Sequence, residues 1–364
     1  MADTPAVPRR PRASAVLDYP VAAPAADGSV VEVADGVLWA RLPMPLGLDH
    51  INVYLLRGDS GWTVVDTGLP TAEARALWEK IAATQLGGLP IVQLICTHFH
   101  YDHAGLAAWL TERFGVPLYM TQGEFLTMRL LGATLPDPVP DELERHYRGA
   151  GLDAEQRQRV FQVLRRDPFV PPRQGDYVRL RGGDVLGIGR RRWQVLIGEG
   201  HSPEHACLYS AEDRLLIAGD QLLPRISSNI LVPAHEPESN PLALWLDSLT
   251  RLEQLAPDTL ILPSHQGVFR GLHARTAELR EHHRHQLDAL RHFIAESGTC
   301  SAAQAMRGLF PKLRGPFDEM LALGETIAHL SWLRHEGALQ RRQGADGVYH
   351  FSARADQPTA EAHW

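Results

Sequence analysis

The chain reads as an α/β protein, with one large domain of alternating strands and helices and a smaller domain appended. Short β-rich runs at 29–33, 37–42, 51–56 and 62–65 are broken by turn residues and then give way to strand–helix alternation. A length of 364 residues is long for a single core. From 272 onward the pattern changes to helices closed by a two-strand ending.

In chain order, Asp59-Ser60-Gly61 supplies a hairpin turn, and 44–50, with Pro45, Leu46 and Leu48, is either the apolar edge of a pocket or only a connection. The strand at 62–65 ends at Asp66-Thr67-Gly68. Thr71 then opens a helix over 72–84, with Ala76, Leu77, Trp78 and Ile81 near helical spacing. The apolar run 91–96 predicts a buried strand, followed by a His-rich loop and a helix at about 106–114 that stops at Gly115. After a strand at 117–120, helical stretches at 124–131, 142–147 and 154–166 are divided by Pro136, Pro138, Pro140 and Gly149-Ala150-Gly151. Their sparse apolar positions predict an insertion, about 122–172, that does not fold alone. It is expected either as a lid over the large domain or as a surface hairpin. Antiparallel ribs are expected at 176–180, 184–188 and 193–199, a strand pair at 206–210 and 214–218, a helix at 243–255 and a strand at 260–262.

Composition removes several classes of function. The formal charge of −7 lacks the basic excess of a general nucleic-acid binder. No apolar run approaches the roughly 18 residues that span a bilayer. The Ala/Pro-rich stretch 1–28 holds Arg9-Arg10-Pro11-Arg12 with no apolar segment after it, so it reads as a disordered tail rather than an export signal, and 354–364 as a second tail. Cys96, Cys207 and Cys300 lack CxxC spacing, which fits a cytoplasmic protein without disulfides.

What remains is a repeated arrangement: an apolar strand whose end bears a metal-capable side chain. Thr97-His98-Phe99-His100-Tyr101-Asp102-His103 packs three His and one Asp into six residues, and His201, Asp220 and His265 stand at later strand ends. Neutral imidazole and carboxylate are ligands that zinc and similar metals accept, and strand ends are where α/β architectures gather sites. Taken singly, His201 could be a loop residue, Asp220 a helix cap and His265 a surface residue. Their joint occurrence is the signal.

Over about 29–271 the chain resembles the metallo-β-lactamase-fold hydrolases, through Asp66 after a strand, His98-x-His100-x-Asp102-His103, His201, Asp220 and His265 in order. The resemblance implies a four-layer αββα fold and two divalent ions, zinc foremost with iron or manganese as alternatives. It implies His98, His100 and His201 on one ion, Asp102, His103 and His265 on the other, Asp220 bridging and Asp66 orienting the cluster. A metal-bridging hydroxide acting on a small ester, thioester or lactone follows, as in glyoxalase II and the lactonases, with Asp102 and Asp220 as proton carriers. Secreted zinc β-lactamases lack the Asp at position 220, and flavodiiron proteins carry Glu at position 98, so both branches fit less well. A nuclease or phosphodiesterase with the same metals, helped by Arg129, Arg173 or Arg225, is one alternative, and an oxidoreductase similar to the mono-iron persulfide dioxygenases is another.

The segment 272–353 reads as a helix to 297, a helix capped by Ser301, a helix over 317–335 and a hairpin across Gly344-Ala345-Asp346-Gly347. That layout is similar to a winged helix. His282, His283, His285 and His292 on the first helix could suggest metal binding, but they sit among Glu281, Arg284 and Asp288 and are expected on a solvated face. Asp318, Glu319 and Glu325 on the last helix would repel phosphate, so packing against the large domain or a dimer partner is expected instead of nucleic acid.

Overall fold

The computed structural model describes residues 16–45, 47–132, 135–165 and 176–354. In the first sheet, β1 (Val30–Ala34), β2 (Val37–Pro43), β3 (His50–Arg57) and β4 (Trp62–Val65) form an antiparallel meander. After α1 (Ala72–Thr84), the strand β5 (Ile91–Ile95) adds in parallel to β4. The helices α2 (Tyr101–Ala104) and α3 (Ala107–Phe114) lead to β6 (Leu118–Thr121). Three further helices follow, α4 (Gln122–Leu131), α5 (Asp141–Gly149) and α6 (Ala154–Arg165), before β7 (Val178–Leu180) completes a seven-stranded sheet. The second sheet has the order β12-β11-β10-β9-β8, built from β8 (Val185–Ile188), β9 (Arg191–Gly198), β10 (His205–Ser210), β11 (Leu215–Gly219) and, after α7 (Pro241–Leu252), β12 (Leu260–Pro263).

Both faces of the inner strands are covered, which is why they read as nearly unbroken apolar runs. Along β2, Val37 and Trp39 point into the layer between the sheets, where Tyr54, Trp193, Leu208 and Leu262 meet them. The alternating Leu38, Ala40 and Leu42 point the other way, toward Trp78 of α1 and Leu110 of α3. The second sheet's outer face, with Cys207, Leu216 and Ile261, packs on Trp245 and Leu249 of α7 and on α8 (Leu272–Ser297). The layers are therefore helix, sheet, sheet, helix.

The described residues end in α9 (Ala302–Leu309), α10 (Pro316–His335) and a hairpin of β13 (Leu339–Gln343) with β14 (Tyr349–Ala353). Ser301 caps α9 through a reciprocal pair with Gln304. This unit shares one apolar core with α7 and α8, so it packs on the large domain.

Several expectations change. The strand at 178–180 does not join the ribs that follow it. It pairs in parallel with β6, where Tyr177 stacks on Phe125 with ring centroids 3.9 Å apart, and Leu180 enters the inter-sheet layer. The tail expectation for 1–15 and 355–364 lies outside the described residues, but 16–28 is ordered along the large domain, largely exposed and held at a few points. Asp18 and Arg270 exchange backbone hydrogen bonds of 3.2 and 2.8 Å, and Leu17 and Val21 join the cores, an alternation that the Ala/Pro composition hid. The insertion divides: α4 buries Phe125 and Met128 under the first sheet, while Val160 of α6 belongs to the core shared by α7 to α10. His285 and His292 are exposed beside Glu281 and Glu296 as expected, yet His283 is fully buried, on the stripe of Leu279, Leu287, Leu290 and Ile294. The face of α10 bearing Ala322, Thr326, His329 and Leu333 is buried as well, which leaves it unable to read a groove. No helix among the described residues is long and apolar enough to cross a membrane.

Candidate metal centre

Topology brings the donors together. β4 runs parallel to β5, and β11 to β12, while β9 is antiparallel to β10, which is antiparallel to β11. The C-terminal ends of β9, β11 and β12 thus share one edge, where they meet those of β4 and β5. Backbone shape sharpens this at two glycines. Gly200, just before His201, has φ +92° and would place a Cβ 2.2 Å from the Pro241 carbonyl oxygen. Gly219, just before Asp220, has φ +49° and would place one 2.5 Å from the His205 ring.

The side chains form two groups. His98 Nε2 lies 2.8 Å from His100 Nδ1 and 3.2 Å from His201 Nε2, and Asp220 Oδ2 stands 3.4 Å from His201 Nε2. In the second group Asp102 Oδ2 is 3.3 Å from His265 Nε2 and 3.6 Å from His103 Nε2. Asp220 Oδ1 lies 3.4 Å from His265 Nε2 and 3.5 Å from His103 Nε2, so one carboxylate faces both groups. All of these residues are buried except His100, which is partly exposed.

Three of the five imidazoles, those of His103, His201 and His265, have their orientation set from behind. His201 Nδ1 donates to the Asn229 carbonyl (2.7 Å) and His265 Nδ1 to the His50 carbonyl (2.9 Å). Because a carbonyl only accepts, the Nε2 atom of each ring, when neutral, is the one that carries the lone pair. Asp66, at φ +64°, accepts from Thr97 N (2.8 Å) and from His103 Nδ1 (2.9 Å). His103 Nε2 is then aimed at the carboxylates, buried and without a hydrogen-bond partner.

The electrostatics fit a bound cation. Burial, then the neighbouring imidazoles, holds His98 well below the usual histidine range, and burial with His201 brings His100 down to about 3. Both rings are neutral, as ligation requires. Burial opposes charge on His103, but Asp102, Asp66 and Asp220 outweigh it and push that ring well up. Burial likewise opposes charge on Asp220, and His103 with His265 holds its carboxyl well below the ordinary range. Buried carboxylates that draw a proton onto His103 would equally draw a metal ion, and the N/O donors suit zinc and its neighbours.

All seven ligand candidates and Asp66 therefore meet at one place. Of the arginines considered, Arg225 lies over the Tyr19 ring at 5.6 Å, Arg129 is exposed, and Arg173 is outside the described residues. The structure adds residues that sequence reasoning missed. His205 Nε2 accepts from Asp220 N (3.1 Å), and its ring stacks on His98. The hydroxyls of Ser264 and Ser228 donate to the Asp220 carboxylate and carbonyl. Glu124 of α4, fully buried, accepts through Oε2 from Phe99 N (3.0 Å) and through Oε1 from Ser202 Oγ (2.6 Å) and Glu204 N (2.7 Å). It thus ties the His98–His100 loop to the His201 loop. The available signal was an acidic residue one turn from Met128, on the face of α4 that also carries Phe125.

Fold and donor groups together define a metal-binding hydrolase class. The chain belongs to the Metallo-beta-lactamase superfamily, whose family model matches residues 46–265, and a Metallo-beta-lactamase-like C-terminal domain matches 287–354. It is similar to a crystallised beta-lactamase domain protein from Burkholderia ambifaria, with 43% identity, a TM-score of 0.85, and 93% of this chain and 98% of that one covered. The probable metallo-hydrolase YqjP of Bacillus subtilis is 28% identical over 335 residues, covering 86% of this chain and 97% of that protein. An acyl-coenzyme A thioesterase, MBLAC2 of Bos taurus, is 25% identical over 195 residues, 52% of this chain and 64% of its own length.

Proposed function

We propose that the protein is a dinuclear metal-dependent hydrolase of small thioesters, esters or lactones. The observation that carries this reading is Asp220, whose two carboxylate oxygens each face a separate group of imidazoles. His98, His100 and His201 would hold one ion and Asp102, His103 and His265 the other, with zinc as the metal that suits these donors. When bound there, such a pair would supply a hydroxide near neutral pH and polarise the bond under attack. Asp66 holds the His103 tautomer, Asp102 and Asp220 are the carboxylates placed to pass a proton to the leaving group, and partly exposed His100 marks the side of approach.

Thioesters are favoured by the likeness to the bovine thioesterase. Substrate choice is assigned to the 44–50 loop, which reaches the centre through His50, and to α4, which reaches it through Glu124. The three cysteines are free and buried, in keeping with a cytoplasmic protein. The C-terminal unit, winged-helix-like in layout, is read as a packing module, because its third helix is spent on the core.

Elemental analysis paired with a panel of thioester, lactone, aryl ester, phosphodiester and β-lactam substrates tests the reading. About two equivalents of zinc that depend on the strand-end donors, and preferred turnover of the first three, are expected. Phosphodiester cleavage above all others would install the nuclease reading. A single redox-active iron with no hydrolysis would install the dioxygenase-like one.

A further inference from the structure

A second set of metal-capable side chains lies in the helical layer and shares no residue with the strand-end centre. His283 projects from the apolar stripe of α8, while Glu325 and His329 stand at i and i+4 on α10 and so share a face. One donor atom from each of the three lies within 4.8 Å of the others. His283 Nδ1 and His329 Nε2 are 3.0 Å apart, the same close approach of ring nitrogens that the strand-end centre shows at 2.8 and 3.2 Å. His329 Nδ1 donates to the Glu325 carbonyl (2.7 Å), which leaves the Nε2 lone pair facing His283. His283 Nε2 is buried without a hydrogen-bond partner, and Trp245 of α7 meets the ring edge-on with centroids 5.1 Å apart.

As ordinary core residues the two rings can share one hydrogen bond, yet the arrangement remains costly because His283 Nε2 stays buried without a partner. An apolar partner at 283 would continue the stripe without stranding a polar atom. Burial holds His283 well below the usual range and His329 at about 4, so both rings are neutral. Burial also pushes Glu325 up to about 7, and no Lys or Arg among the described residues forms an ion pair with it. Two neutral imidazoles and a carboxyl that lacks a cation make a donor set for a divalent ion. The partial exposure of Glu325 gives that ion a route from solvent.

We propose that His283, Glu325 and His329 form a further binding site for a zinc-type divalent ion, which ties α8 to α10 and so fastens the C-terminal unit to α7. Its role is structural, since His283 and His329 are buried in the packing of α8 against α10. The assignment is independent of the hydrolase reading.

The test uses the full chain, stripped of metal by chelation and titrated with Zn2+, beside His283→Leu and Glu325→Gln. His283→Leu extends an existing leucine stripe, and Glu325→Gln keeps the side chain's shape, so at least one is expected to fold. The wild type should take up one equivalent more than either variant, and zinc should raise its Tm by about 3 °C more. Hydrolytic turnover should stay within about twofold. Equal zinc uptake by the wild type and a folded variant would overturn the proposal. The wild type alone gives a second measurement, the anomalous difference map at the zinc edge. A peak between His283 Nδ1 and His329 Nε2 is expected, and a loaded strand-end centre with no such peak would equally overturn it.

Discussion

The strand-end centre and the α8–α10 cluster hold similar donor atoms on unlike scaffolds. At the strand ends, donors come from segments spread between residues 98 and 265, and imidazoles are fixed from behind by Asp66, Asn229 and His50. In the helical cluster two helices supply everything, and among the two rings only His329 has such a fixing bond. Parallel strands can aim many side chains at one point beyond the sheet and keep one side open, as partly exposed His100 shows. A helix pair aims its side chains into its own packing. The first geometry suits chemistry on a visiting molecule, the second suits fastening.

The sharpest way to break this contrast is at Asp220, the residue that joins the two donor groups. Asp220→Ala should remove metal from both groups and lower kcat/KM by about 1000-fold or more. Metal content and turnover measured on one preparation check it. A full metal load with unchanged activity would mean that the shared carboxylate is not the link.

Glu124 sharpens the contrast from the other direction, because a helix residue there serves the strand-end loops. In Glu124→Gln the amide cannot accept at both ends, so either Phe99 N or the Ser202 and Glu204 donors lose their buried partner. A loss of about 1–3 kcal/mol in stability is expected. A fall in metal affinity of roughly tenfold should accompany it, as for other outer-shell changes. Denaturation with and without zinc separates the two effects. Lost stability with unchanged affinity would make Glu124 a packing residue only.

These residues also show what was legible in the chain. The strand-end donors could be read because each follows an apolar run, so local pattern and chemistry coincide, and the sheet gathers them without further information. The strands of the two large sheets were readable from their local pattern, β7 included, but its pairing with β6, beside the Tyr177–Phe125 stack, was not. Glu124 and His283 were missed because each is a polar residue on the buried face of a helix, Glu124 beside the apolar Phe125 and Leu126 and His283 among charged neighbours. For His283 the spacing of Leu279, Leu287, Leu290 and Ile294 did place it on the stripe, but the surrounding Glu281, Arg284 and Asp288 dominated the reading. What faces that stripe is set by α10, over forty residues away, and no local pattern encodes it.

Acid should act outside both donor groups, on α5. Burial lowers the His146 imidazole of α5 to about 4, so the folded chain keeps this ring neutral where the unfolded chain, near 6.5, would protonate it. Its contribution to stability is complete above pH 6.5 and is lost as pH falls through 4, since the unfolded state binds the extra proton in that window. Partial exposure screens the effect, which leaves on the order of 1–2 kcal/mol. Denaturant midpoints of zinc-loaded wild type and His146→Gln across this range measure it. The wild type should lose stability more steeply between pH 6.5 and 4, and the two should run parallel above 7. Parallel curves throughout would mean that the ring is solvated and that the α5–α6 layer opens without unfolding the rest.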